Sequence, residues 1–370
     1  MTLLSLTAEN YRNIREANLT FSPGVNLLFG ENAQGKTNAL EGIYLFARGK
    51  SYRGATDDAL VRFGEKGFKL GITYRADGRE QTLAYRYWEG SRQRQKNGAN
   101  VRISEMIGSF RAVLFCPEHL SLIKGSPSER RAFLNIAIAQ NHPVYLKLCD
   151  EYNRILENRN CLLKNLQKGL FVEREELESW TERFMESAAE ILLYRREYVR
   201  RLSPLANDLL RDLSSGRETM TLAYESEAEG DGKEELVASY RRLFRDLSSR
   251  EAAAGCSLFG VHRDDLDVKI NGISARSFAS QGQQRSAVLA LKLAEGEVCR
   301  EMSGEYPVFL FDDVMSELDG RRREYVLRET GDRQMILTSC ETEDFDPRRV
   351  HLIRVSGGSF EKQARERETS

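Results

Sequence analysis

The 370-residue sequence has no apolar run approaching the roughly 18 residues needed to cross a bilayer. Its opening, Met1 to Asn10, lacks the basic-then-apolar pattern of a secretory leader. Six cysteines (Cys116, Cys149, Cys161, Cys256, Cys299, Cys340) include no C-x-x-C pair, which argues against a disulfide framework or a zinc knuckle. No charge of one sign dominates: 55 Lys and Arg against 56 Asp and Glu leave a net −1, so a polyanion would have to bind a local patch. No internal repeat, zinc-finger spacing or helix-turn-helix pattern is evident, so any nucleic-acid contact is expected to read backbone and structure rather than base sequence. These absences point to a soluble cytoplasmic protein with no membrane partner. With 41% hydrophobic and 30% charged residues the chain can bury a real core, which excludes disordered, collagenous and low-complexity classes, and its length allows two or three domains.

The first 115 residues read as strand-rich, with alternating pieces at Leu3–Thr7 and Ala17–Phe21, an apolar run at Val25–Phe29, and further β-patterned text at Phe68–Tyr74, Gln81–Trp88 and Ala112–Phe115. Ser126-Pro127-Ser128-Glu129 is a capping box with proline at the first helical position, so a helix should start there. From there to about residue 250 the pattern is mainly helical. Apolar residues keep three- and four-residue spacing from Tyr145 to Leu166, and again from Leu177 to Val199 after a gap at Lys168–Phe171, predicting an antiparallel hairpin of helices. Strand-like text resumes at Leu266–Ile270, Val308–Phe311 and Gln334–Leu337. The helical block therefore reads as an insertion between two parts of one α/β core.

Gly30-Glu31-Asn32-Ala33-Gln34-Gly35-Lys36-Thr37 matches G-x-x-x-x-G-K-[ST] between an apolar strand and a helix-compatible stretch, Thr37–Phe46. Backbone N–H groups of such a loop and the following helix N-terminus cradle phosphate oxygens, Lys36 reaches the β- and γ-phosphates, and the Thr37 hydroxyl ligates Mg²⁺. The loop needs an acidic partner at the end of a neighbouring apolar strand, and Val308–Phe311 followed by Asp312-Asp313 supplies it. Asp312 suits the metal role, and Asp313 is the candidate for polarising the attacking water.

Two more segments narrow the class. Ser280-Gln281-Gly282-Gln283-Gln284-Arg285 opens a helix upstream of the acidic strand, as the signature motif of ABC-type ATPases does, and Ser316-Glu317-Leu318-Asp319 stands where that class carries its D-loop. Within it the chain resembles the RecF family, bacterial recombination-mediator ATPases related to SMC heads, nearly end to end. Further carriers are Asn10-Tyr11-Arg12-Asn13, Lys50-Ser51-Tyr52-Arg53, Phe115-Cys116-Pro117-Glu118, Gly125–Phe133 with Arg130-Arg131, and Gly260-Val261-His262-Arg263-Asp264-Asp265. His119 departs from the pattern where an acid is expected, as does Val261 where proline is usual.

The resemblance implies an ABC-type P-loop ATPase head of the SMC kind, with residues 1–115 and 303–370 as one lobe and 116–302 as a mainly helical lobe ending in the signature. It implies ATP and Mg²⁺ as ligands, with ATP sandwiched between the P-loop of one protomer and Ser280 and the Gly282 amide of another. Slow hydrolysis would then release an ATP-induced homodimer from DNA. It places Arg12 and Asn13 near the nucleotide and Thr338-Ser339 at the switch position. It also implies gapped duplex and single/double-strand junctions as substrates, and RecR and RecO as partners in loading the RecA recombinase. Two basic sets are candidates for DNA phosphate: Arg92, Arg94, Lys96 and Arg102 in a turn between strands, and Arg195 and Arg196, with Arg200 and Arg201, at helical spacing. The competing readings are the ATPase subunit of an ABC transporter and an SMC-type structural clamp.

Overall fold

The computed structural model describes residues 1–328, 331, 333–342, 345, 346 and 348–362, apart from the side chain of Glu317; the rest of the lobe expected to run to 370 lies outside the described residues. Two compact units divide the chain, Met1–His119 with Val288–Ser370, and Leu120–Ala287. In chain order, β1 (Thr2–Tyr11), β2 (Ile14–Thr20) and β3 (Val25–Phe29) lead into α1 (Lys36–Arg48) and a short α2 (Asp57–Leu60). There follow β4 (Gly67–Ala76), β5 (Arg79–Trp88), β6 (Ser91–Lys96), β7 (Ala99–Asn100), α3 (Ile103–Met106) and β8 (Ala112–Phe115). The second unit holds α4 (Ser121–Lys124), α5 (Pro127–Asn141), α6 (Pro143–Gln167), α7 (Arg174–Ser214), β9 (Met220–Glu225), α8 (Lys233–Ala254), β10 (Asp265–Ile270), β11 (Ile273–Ser274) and α9 (Ala275–Phe278). The helix α10 (Gln281–Ser303) begins in that unit and ends in the first, where β12 (Val308–Phe311), α11 (Gly320–Arg328), β13 (Met335–Ser339), β14 (Val350–Ser356) and β15 (Ser359–Lys362) follow among the described residues.

The first unit has two six-stranded sheets. One runs β2-β1-β4-β5-β6-β7 and is antiparallel; the other runs β15-β14-β3-β13-β12-β8, parallel except for the edge strand β15. The central strands β3, β12 and β13 are almost wholly apolar because a parallel strand is covered on both faces. Ala39, Leu40, Ile43, Tyr44 and Phe46 of α1 are buried in one core with Leu6, Leu70 and Ile72 of the antiparallel sheet and Leu28, Leu310 and Ile336 of the parallel one. That is the expected place for a helix apolar nearly all round. Gln334 stitches the two sheets: its amide accepts from Leu3 N at 2.7 Å and donates to the carbonyls of Leu3 at 2.8 Å and Ser22 at 2.7 Å.

In the second unit α6 and α7 form the predicted hairpin, and α5 starts at the predicted cap, where the Glu129 carboxylate accepts from Ser126 N at 2.7 Å. The long helix α7 continues through Pro204 to Ser214, beyond the periodic stretch read to Val199. A three-stranded sheet, β11-β10-β9, also interrupts the stretch read as helical, because Met220–Glu225 alternates buried and exposed residues against β10. The helices are locked by Arg159, fully buried, which pairs with the equally buried Glu251 at 2.6 Å and donates to Thr181 at 3.0 Å and Ser257 at 2.6 Å. Its guanidinium also lies 5.1 Å from the Phe184 ring and 5.5 Å from that of Phe259. Among the described residues no helix is long and apolar enough to cross a membrane.

Removing one member of a buried pair strands the other charge in the core. Arg159→Ala is expected to lower the stability of the second unit by about 3–5 kcal/mol in a urea titration, and a loss under about 1 kcal/mol would make the pair incidental.

Candidate nucleotide-binding site

The loop Gly30–Thr37 leaves the carboxyl end of β3 and enters α1. Gly30 is required by contact and conformation together: its φ is 151°, and a Cβ there would lie 2.2 Å from the Val355 carbonyl oxygen. Gly35, at φ 116°, likewise backs onto the Asn13 amide, where a Cβ would come within 2.9 Å of Oδ1. The loop is braced from behind by the β14–β15 turn, since Gly358 N donates to the Gln34 carbonyl at 2.8 Å and Gly357 N to Gln34 Oε1 at 2.5 Å. Lys36 is buried, and its ammonium donates to the carbonyls of Gly30 at 2.5 Å and Glu31 at 2.9 Å and lies 3.6 Å from Cys340 Sγ.

Asp312 follows β12 and is buried. Strand order places β13 between β3 and β12, so Thr338 stands between the loop and the acidic pair. Three hydroxyls converge on the Asp312 carboxylate: Thr37 at 2.8 Å and Thr338 at 3.0 Å donate to Oδ1, and Tyr52 donates to Oδ2 at 2.6 Å. Burial first, and then the Asp312 charge, pushes the Tyr52 phenol far above its ordinary range, so it remains a donor. Asp313 is exposed, in the left-handed region at φ 56°, and its N–H donates to Thr338 Oγ1 at 2.8 Å. Partial desolvation of its carboxyl raises the pKa, the Lys36 charge opposes that shift, and Asp312 reinforces it.

Arg12 forms a bidentate pair with Glu41 at 2.9 and 2.8 Å and donates to the Ala59 carbonyl at 3.1 Å. Glu41 is fully buried and also accepts from Ser51 Oγ at 2.5 Å. Asn13 Oδ1 accepts from Asn38 at 2.8 Å. Arg12, Asn13, the loop from Asn32 to Asn38, Asp313 and Thr338 line one cavity of about 610 Å³, within the range of small-molecule sites. Glu41 and Tyr52 were given no role by sequence reasoning. Glu41 had a signal, a lone carboxylate inside the apolar run Ala39–Ala47, whereas Tyr52 had none, since a loop hydroxyl has no spacing signature.

Among the described residues no group of three or more His, Cys, Asp or Glu could hold a metal ion by itself. Thr37 and Asp312 nevertheless offer hard oxygen donors side by side, the kind Mg²⁺ takes when phosphate and water oxygens complete its shell. His119 turns inward instead of lining a solvent loop: Cys116 N donates to its Nδ1 at 3.3 Å, and burial, helped by Lys292 and Arg48, pulls its pKa well below the usual value.

Ser280 and Gly282 lie in the other unit, at the start of α10. Ser280 and Gln283 cap that helix reciprocally, Ser280 N donating to Gln283 Oε1 at 2.9 Å and Gln283 N to Ser280 Oγ at 3.2 Å. Nothing crowds Gly282, whose added Cβ would meet only Ser280 Oγ at 4.0 Å.

The basic sets require correction. Arg195 is no surface residue: it is buried, donating to the hydroxyls of Tyr145 at 3.0 Å and Tyr224 at 2.8 Å and to the Val261 carbonyl at 2.7 Å. Arg196 ties down the loop before α8 through the carbonyls of Gly230 and Ala228, both at 2.6 Å. Arg200 and Arg201 share Glu197. The four arginines at helical spacing therefore do not share one exposed face: Arg195 is buried, whereas the Arg200 side chain is exposed. Within Gly90–Arg102 the expected turn is Asn97-Gly98, flanked by the strands β6 and β7, and acids from elsewhere reach the segment: Asp57 pairs with Arg92 at 2.5 Å and Glu105 with Arg102 at 3.6 Å. Arg94 lies over the Tyr85 ring at 4.9 Å, and Lys96 donates to Ser109 at 2.9 Å.

The family model for the RecF/RecN/SMC N-terminal domain matches residues 2–357. A relative from Desulfitobacterium hafniense, named DNA replication and repair protein RecF, is 38% identical over 362 residues, covering 97% of this chain and 99% of that protein. A RecF of Staphylococcus carnosus is 37% identical over 371 residues, covering 98% of this chain and 100% of that one. The structure of the recombination mediator protein RecF with ATP, in the RecFOR pathway, superposes with a TM-score of 0.91 at 33% identity, covering 98% of each chain. An Smc head from Pyrococcus furiosus shares the fold, with a TM-score of 0.56 at 18% identity over 97% of this chain and 95% of that one. With its P-loop, acidic strand end and signature helix in an ABC-type head of the SMC kind, the chain belongs to the RecF family.

Proposed function

We propose that this protein is an ATP-dependent DNA-binding clamp of recombinational repair. The observation that carries the reading is the convergence of Lys36, Thr37, Asp312 and Asp313 on one edge of the parallel sheet, at the carboxyl ends of β3 and β12. The ATP named for a solved relative supports the nucleotide, and the repair function and RecFOR pathway named for the relatives support the setting.

Loop amides and Lys36 would bind the triphosphate, with Thr37 and Asp312 holding Mg²⁺. When bound, that ion neutralises charge on the phosphate oxygens. Asp313 would orient and deprotonate the attacking water, a role that its raised pKa suits. Its left-handed backbone, costly for an L-residue, is held in place by the Thr338 hydroxyl. The Ser280 hydroxyl and Gly282 amide would complete the site from a second copy, so that ATP binds the closed dimer better than the open monomer and hydrolysis releases it. DNA would be gripped through its phosphates near gaps and strand junctions, RecR and RecO would assist in loading the recombinase, and the protein would work in the cytoplasm. Of the eight residues first considered for DNA, Arg92, Arg102 and Arg200 keep exposed side chains.

Sedimentation with ATP and Mg²⁺, with and without gapped duplex, tests the whole reading: a monomer that becomes a DNA-bound dimer only with ATP supports it, and indifference to DNA sinks it. Lys36→Ala should weaken ATP binding by about tenfold or more, the worth of a lost charge-assisted bond; calorimetry giving wild-type affinity would remove the loop from the site. Ser280→Ala should still bind ATP yet remain monomeric in the same sedimentation runs. Asp313→Asn should slow hydrolysis by about a hundredfold and lengthen residence on DNA, so faster release would contradict its role.

A further inference from the structure

Phe63 is fully exposed, an uncommon position for a large apolar ring. Scattered surface apolar residues need no explanation, but this one is placed. Of the exposed large hydrophobic side chains among the described residues, Phe63 is the one that lines the cavity built by the phosphate loop. With Ala59 and Val61 it gives that cavity an apolar lining, in contrast to the polar lining from Asn32 to Asn38.

The ring is carried on a braced support. Arg62 N donates to the Asn10 carbonyl at 2.9 Å and Arg12 N to the Leu60 carbonyl at 2.8 Å, so the segment after α2 is pinned to the β1–β2 turn. Glu65 N donates back to the Arg62 carbonyl at 3.0 Å, with Gly64 at φ 87°. Phe63 therefore sits at the corner of a closed turn whose next residue is the left-handed glycine that a type II turn calls for. A backbone fixed this way needs no further ordering when something flat lies against the ring, which leaves only the ring's own rotamer freedom to be lost.

We propose that Phe63 is the stacking surface for the nucleobase, which makes it a determinant of nucleotide over bare polyphosphate at this site. The inference rests on reading the loop as a triphosphate site. A nucleoside triphosphate is anionic at one end and a flat aromatic at the other, and the cavity offers a lining suited to each. Every base has a π-face, so stacking selects for a base without reading its edges, and purines should profit most from their larger area.

The test compares ATP with inorganic tripolyphosphate, both with Mg²⁺, by calorimetry on the wild type, Phe63→Ala and Phe63→Tyr. The expected result is that Phe63→Ala weakens ATP binding by about tenfold, leaves tripolyphosphate binding unchanged, and is rescued by Phe63→Tyr. In Phe63→Trp, the introduced indole should be quenched by ATP and not by tripolyphosphate. Unchanged ATP affinity in Phe63→Ala overturns the proposal, and if sedimentation then shows a weakened dimer, the ring belongs to the contact between copies. Parallel loss of both ligands overturns it as well, by showing that the turn supports the loop rather than the base. A wild type that binds neither ligand overturns the underlying phosphate site and the stacking role together, a result distinct from the other two.

Discussion

A carboxylate taken out of water must find donors or a cation, and that demand organises the nucleotide edge of the molecule. Asp312 is buried, and its two oxygens gather the hydroxyls of Thr37, Thr338 and Tyr52. Those hydroxyls come from the start of α1, the end of β13 and the loop after α1, so one side chain sets the distance between the phosphate loop and the acidic strand. Thr338 passes the constraint on by accepting from Asp313 N–H, which fixes the backbone of the second acid. Each hydroxyl is also a group that can turn when a cation competes for the same oxygens, so the arrangement is firm without being closed to exchange.

A second buried carboxylate repeats the logic one layer deeper. Glu41 would be untenable in the apolar helix α1 without the Arg12 fork and the Ser51 hydroxyl. Because Arg12 also holds the Ala59 carbonyl, the β1–β2 turn, α1 and the segment leading to Phe63 are fastened at one point. In the other unit Arg159 and Glu251 do the same for the helices α6 and α8, with Thr181 of α7 joining them. In both of these pairs the buried charge meets an opposite charge and further hydrogen bonds, the condition under which it specifies a geometry instead of merely costing energy.

Much of this was legible in the sequence. The strand ends of β8 and β12, the cap of α5, and the phosphate loop followed directly from apolar runs, a capping box and a gapless motif, because each of these is a local rule. What escaped depended on partners far away in the chain. Met220–Glu225 became a strand only because Asp265–Ile270 was there to pair with it. Arg195 looked like one of four surface arginines at helical spacing, yet it faces Tyr145, Tyr224 and the Val261 carbonyl, none of which periodicity could place beside it. Arg92 and Arg102 stood in a stretch without acids, and the acids came from Asp57 and Glu105. The role of Tyr52 was hidden for the same reason, since its partner Asp312 stands 260 residues on.

The strand that launches the phosphate loop has a history written into its neighbours. On one side β3 pairs with β13 and on the other with β14, and both are synthesised some three hundred residues later. The glycines that brace Gln34 arrive later still. On the ribosome, Val25-Asn26-Leu27-Leu28-Phe29 therefore waits as an apolar strand with two open edges while the whole helical unit is made. Until then the loop lacks the neighbours and the brace that it has in the folded protein. The proposed site is complete only once those last strands pair on either side of β3.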